Sequence, residues 1–187
     1  MNDPIISGAE CYRRFLDGDE NAIVEIIRDY KDGLILFLNG IVGNIHTAEE
    51  LMEETFVKLV VKKPHYTEKF SFRTWLYTIG RNAALDWLRR NSKNSDTPLD
   101  ELELADREDL ELSYIREEQK IMVHHALANL KPDYRQVLYL SFFEELSNEE
   151  TAAVMRKTKR QIENLLYRAK QSLKNELEKE GFTYEGL

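Results

Sequence analysis

In three of this chain's runs with helical spacing, a hydroxyl residue at the head stands three positions before Glu or Gln. The three are Thr47-Ala48-Glu49-Glu50, Ser147-Asn148-Glu149-Glu150 and Thr158-Lys159-Arg160-Gln161. Each reads as a capping box, in which the hydroxyl accepts a proton from a first-turn amide and the longer side chain reaches back to the cap's own amide. Ile23, Ile26, Ile27 and Tyr30 follow the i, i+3, i+4, i+7 spacing of an apolar helix stripe. Leu51, Phe56, Val57, Leu59 and Val60 are expected to form a second stripe. Residues 72–90 form a third helical run, carrying Trp75, Leu76, Ile79, Leu85, Trp87 and Leu88, with Gly80 as its one breaker. A helix is expected over residues 114–130. Pro132 then opens another at a helix first turn, with Tyr134, Val137, Leu138 and Phe142 on one face. The last two boxes open a short helix to Met155 and a longer one to Leu177. With no strand alternation and no internal repeat, the fold class is all-α.

Residues 91–98 (NSKNSDTP) are a polar stop. They divide the chain into an N-terminal helical domain over residues 1–93, a connector over 94–115 and a C-terminal domain over 116–187. A chain of 187 residues holds two such domains only if both are small. Their cores are therefore modest and lean on a partner. The net charge of −8 argues at first against a nucleic-acid partner, but its distribution reverses that. Residues 96–118 hold ten acids and two bases, which accounts for the whole excess. Residues 62–93 hold eight bases and two acids, and residues 156–174 seven bases and one acid. Two basic blocks flank an acidic connector.

Several classes drop out. The one cysteine, Cys11, excludes an intramolecular disulfide and a cysteine-based zinc site. A carboxylate-bridged dimetal bundle needs Glu-x-x-His repeats, and His46, His124 and His125 lack them. There is no glycine-rich phosphate loop and no nucleophile elbow. No cofactor, metal or small-molecule substrate is expected, and no enzyme. The first residues (MNDPIISGAE) lack the basic-then-apolar order of a secretory signal. The most apolar stretch, residues 34–45, falls far short of the ~20 that span a bilayer. A cytoplasmic protein without membrane insertion is expected.

The final helix pair has helix-turn-helix spacing, with a turn at Arg156-Lys157. Ile162, Leu165, Leu166 and Ala169 can face a core. Lys159, Arg160, Glu163, Asn164, Tyr167, Arg168 and Lys170 then face solvent or a groove, where they suit base edges and phosphates. A DNA reader and an ordinary helical hairpin both fit this pattern. In residues 62–90, aromatic side chains mix with bases, the chemistry of single-strand capture. Trp75, Leu76 and Ile79 read as core, whereas Tyr66 and Phe70 precede the helix and are better placed for contact.

At these residues the chain comes to resemble a known family. TAEELMEETFVKLV followed by FRTWLYTIGRNAALDWLRR resembles the sigma-2 domain of extracytoplasmic-function (ECF) sigma factors of bacterial RNA polymerase. LANLKPDYRQVLYLSFFEELSNEETAAVM with QIENLLYRAKQSLK is similar to their sigma-4 domain. The resemblance implies a sigma-2 bundle and a sigma-4 helix-turn-helix joined by the acidic linker. It implies a factor that binds core RNA polymerase and promoter DNA, under the control of an anti-sigma factor.

By position, the resemblance assigns core-polymerase docking to Glu49, Glu50, Leu51, Glu53, Glu54 and Phe56, with Glu53 where relatives commonly carry Gln. An acidic first turn favoured by the helix dipole is the plainer account of the same carboxylates. The resemblance assigns minus-ten recognition to His65, Tyr66, Lys69 and Phe70 in the loop over residues 64–70, and to Asn82, Asp86, Arg89 and Arg90 on the helix. Asp86 pairing with Arg89 or Arg90 is an equal alternative. Minus-thirty-five recognition falls to Lys159, Arg160, Glu163, Asn164, Tyr167, Arg168 and Lys170. Arg156-Lys157 replaces the family's Gly-aliphatic turn, which is expected to reshape it. Glu163 and Leu165 stand where bases are common. A one-component helix-turn-helix regulator that does not bind core polymerase is the rival reading, and it would need a ligand or dimerisation domain.

Overall fold

The computed structural model describes residues 7–92 and 126–179, which fall in two compact units, Met1–Asp96 and Thr97–Leu187. The acidic connector, His124, His125 and most of the helix expected over 114–130 lie outside the described residues; residues 126–128 are helical.

The N-terminal unit holds α1 (Gly8–Leu16), α2 (Asn21–Val42), α3 (Ile45–Lys62) and α4 (Phe72–Ser92). α2 is the central element and packs against the other three. Its core face runs from Ala22, Ile23 and Ile26 to Leu34, Ile35, Phe37 and Leu38, all buried. α4 passes close to α2 at Gly80. A Cβ there would lie 2.9 Å from a Leu34 methyl, so the breaker seen in the sequence is the close-approach point of two helices. α1 is missing from the elements expected above, although Ser7-Gly8-Ala9-Glu10 repeats the hydroxyl-to-Glu signal at its head. It has only nine residues, capped by Ser7, and its buried side chains Cys11, Tyr12 and Phe15 span too few turns to show a period.

Two expectations change here. The cap of α3 is Asn44, whose side chain accepts from the Thr47 amide at 3.0 Å. Gly43, at φ 73°, ends α2 immediately before it. Starting α3 at Thr47 would leave Ile45 in a loop, whereas in the observed helix it is buried. The α3 stripe is also narrower than expected. Ala48, Leu51, Thr55, Phe56 and Leu59 face inward, while Val57 (58% exposed) and Val60 (40%) turn outward. Thr55 fills the core position with its hydroxyl donated to the Leu51 carbonyl at 2.7 Å.

The C-terminal unit holds α5 (Pro132–Leu138), α6 (Asn148–Met155) and α7 (Lys159–Lys179), with α5 and α6 packed on α7. Pro132 opens α5 as expected. The helix then widens into a π-turn over Tyr139–Phe143, where the Glu144 amide donates to the Tyr139 carbonyl five residues back. The wider turn rotates the side chains beyond Tyr139 away from the α-helical register. Phe142, expected beside Leu138 on the core face, is 55% exposed.

Ser147 and Glu150 form a full capping box on α6. Thr158 and Gln161 exchange the same two bonds at α7. The Thr151 hydroxyl is buried with no hydrogen-bond partner among the described residues. Replacing it with the near-isosteric Val should stabilise this unit by about 1 kcal/mol, read from the urea midpoint, since a desolvated hydroxyl is exchanged for a methyl group.

Candidate nucleic-acid interface

In the C-terminal unit the turn between α6 and α7 keeps its left-handed shape without glycine. Arg156 caps α6 at φ 53°, ψ 45°, and its amide and that of Lys157 both donate to the Ala152 carbonyl. The expectation of a reshaped turn is not met: the side chain is accommodated in the strained region. Ion pairs brace the neighbourhood, Lys157 to Asp133 at 3.1 Å and Lys159 to Glu149. The hydrogen bond from Lys159 holds the Glu149 carboxyl below its usual range and lifts the Lys159 amine. Left-handed backbone costs a non-glycine residue roughly 1–2 kcal/mol, and glycine loosens the unfolded chain by roughly 0.5–1. Arg156→Gly should therefore stabilise the unit by about 0.5–1 kcal/mol in chemical denaturation; a decrease in stability would mean that the guanidinium makes offsetting contacts.

α7 has two faces. Ile162 and Ala169 are fully buried and Leu165 and Leu166 half-buried. Lys159, Arg160, Glu163, Asn164, Tyr167, Arg168 and Lys170 are all exposed. Tyr167, at 69%, is an aromatic ring given almost wholly to solvent. Lys170 is partly engaged, its amine 5.0 Å from the Phe142 ring centroid. That contact gives the outward Phe142 a neighbour on α7.

In the N-terminal unit α3 divides similarly. Leu51 and Phe56, assigned to docking, are 2% and 4% exposed and belong to the core. They hold the helix rather than present themselves. Glu50, Glu53 and Glu54 are exposed, and Glu49 is half-buried near His46 (3.6 Å). Val57, Val60 and Val61 continue the outward face at steps of three and four, Val61 at 68% exposure. The sequence does not reveal their exposure, because valine at helical spacing reads as core.

The loop over residues 64–70 leads from α3 to α4. His65 and Lys69 are exposed, and Tyr66 and Phe70 are half-buried. Tyr66 packs against Phe72 and Trp75, with ring centroids 5.7 and 5.2 Å away, and donates its hydroxyl to the Phe70 carbonyl at 2.6 Å. Burial, then nearby Glu68, pushes its pKa up. Tyr66 is thus a brace inside the loop, and open contact is left to His65 and Lys69. On α4, Asn82 is half-buried, and Asp86, Arg89 and Arg90 are exposed. Asp86 accepts from Arg89 at 2.8 Å. Both partners are well exposed, so a phosphate can compete for the guanidinium. No helix of the described residues is long and apolar enough to cross a membrane.

Comparison with known proteins bears on both units. Residues 26–94 match sigma-70 region 2, and residues 120–173 match sigma-70 region 4. The RNA polymerase sigma factor CarQ of Myxococcus xanthus is 30% identical over 147 residues, 75% of this chain and 80% of its own. The chain belongs to the sigma-70 family. The ECF RNA polymerase sigma factor SigW of Bacillus subtilis is 26% identical over 173 residues, covering 86% of this chain and 91% of SigW. The fold matches a solved sigma factor, RpoE of Bartonella quintana in complex with the anti-sigma factor NepR. Its TM-score is 0.62 at 19% identity, over 82% of this chain and 95% of that one. This chain is an ECF sigma factor with regions 2 and 4, a non-enzymatic subunit for core RNA polymerase and promoters.

Proposed function

We propose that the outward faces of α3, the 64–70 loop with α4, and α7 divide the work of this sigma factor. The exposed α3 face, acidic at Glu50, Glu53 and Glu54 and aliphatic at Val57, Val60 and Val61, docks on core polymerase. Its occupant is a helix with bases opposite the first turns and apolar residues opposite the last. His65, Lys69, Asn82, Asp86, Arg89 and Arg90 meet the minus-ten element, and the seven exposed side chains of α7 meet the minus-thirty-five element. The observation that carries this reading is the separation on α7, where residues suited to base edges are exposed while Ile162 and Ala169 are buried and Leu165 and Leu166 half-buried.

Each module is small and binds DNA weakly alone, and the acidic connector repels the duplex. Core polymerase holds both modules at promoter spacing and so raises their effective concentration at the two elements. The protein works in the cytoplasm, where polymerase and DNA are. An anti-sigma factor that covers the α3 face would silence it. The family resemblance supports such control, and so does the accessibility of that face.

Run-off transcription from a randomised promoter library, with core polymerase and the purified chain, tests the assignment. Enrichment of two spaced elements is the expected result. Transcripts with no shared upstream sequence, or none at all, would overturn it.

A further inference from the structure

Besides its brace on α4, the minus-ten loop is held by a helix outside the matched region. Region 2 begins at residue 26, whereas α1 ends at Leu16. Three side chains of α1 reach the loop and its start. The Tyr12 hydroxyl donates to the Pro64 carbonyl at 2.8 Å, an Arg13 nitrogen lies 3.3 Å from a Glu68 carboxylate oxygen, and the Phe15 ring lies under the Lys63 amine with 5.0 Å to its centroid. The loop needs holding. Lys63 and Glu68, at φ 43° and 54°, are non-glycine residues in left-handed backbone, a conformation that persists only where surrounding contacts over-determine it. Tyr12 is itself fixed, 1% exposed among the rings of Phe15, Phe72 and Trp75. Burial pushes its pKa up to about 12, and the hydroxyl, protonated at physiological pH even at the ordinary tyrosine value, is a donor.

We propose that α1 is the clamp of the minus-ten loop, with Tyr12 and Arg13 as positioning residues that set where His65 and Lys69 meet DNA. This rests on reading residues 64–70 as the minus-ten contact. Tyr12 acts through the loop backbone at Pro64, and Arg13 through the Glu68 carboxylate.

The test uses the full chain with core polymerase. It measures open-complex formation on promoters that differ only in the minus-ten element. Tyr12→Phe keeps the ring in its cluster and removes only the donor. It should lower minus-ten discrimination about five-fold, the range of one net hydrogen bond, and adding Arg13→Gln should lower it further. Core-polymerase retention and minus-thirty-five discrimination should stay at wild-type values, while the melting temperature should fall by only a few degrees, as the loss of one hydrogen bond entails. His65→Ala and Lys69→Ala are measured in parallel as direct loop variants. If they alter minus-ten discrimination and Tyr12→Phe does not, the clamp is overturned and the loop assignment stands. If neither does, the loop assignment falls and takes the clamp with it. If Tyr12→Phe lowers retention and minus-thirty-five discrimination along with minus-ten discrimination, its role is structural only, and the proposal also fails.

Discussion

Reversing the charge at Glu50 and Glu54 together (E50K/E54K) should lower retention on core RNA polymerase by at least about 100-fold, since like charges set against a basic partner both remove attraction and add repulsion. Both carboxylates are on the outward face of α3 and neither takes part in the core, which is built from Ala48, Leu51, Thr55, Phe56 and Leu59. The fold should therefore survive. Far-ultraviolet circular dichroism and a thermal melt of the variant will check that before the pull-down is read. The reversal leaves the aliphatic half of the face, Val57, Val60 and Val61, unchanged. Wild-type retention would show that α3 docks by that half alone or does not dock at all.

The second large effect lies on α7. Asn164→Ala or Arg168→Ala should shift discrimination among upstream elements by about 1–3 kcal/mol for each base edge that is no longer read. Competition binding by the reconstituted holoenzyme, with each upstream position varied in turn, reads this as a change confined to particular positions. An equal weakening across all sequences, accompanied by a shallower salt dependence, would mark the residue as a phosphate ligand instead. Both side chains are exposed, so neither change should disturb the packing of Ile162 and Ala169 beneath.

The legible part of the sequence is local. The boxes at Ser147 and Thr158 depend on two hydrogen bonds within four residues, and both form. The faces of α7 follow from spacing alone. The departures come from forces that act at a distance or between rival local solutions. Asn44 and Thr47 are both competent caps, and burial of Ile45 decides for the first. The outward turn of Phe142 arises from a π-turn that the 3.6-residue period cannot show. Tyr66 is recognisable as a loop aromatic, but the rings that cover it come from α4. Leu51 and Phe56 belong to a motif to which the family resemblance assigns docking, yet here they build the floor from which their acidic neighbours project. The left-handed Arg156 is the reverse case. The strain is visible from residue type, and the turn keeps its shape regardless.

The two-sided build of α7 has a consequence for how such a protein diversifies. Substitutions at exposed positions such as Arg160, Glu163, Asn164, Tyr167 and Arg168 fall where changes usually alter folding by less than about 0.5 kcal/mol. If α7 reads the promoter as proposed, its preference can thus drift through neutral steps, while the inward residues keep the helix seated. A duplicated copy could acquire a new set of target genes without first losing its structure.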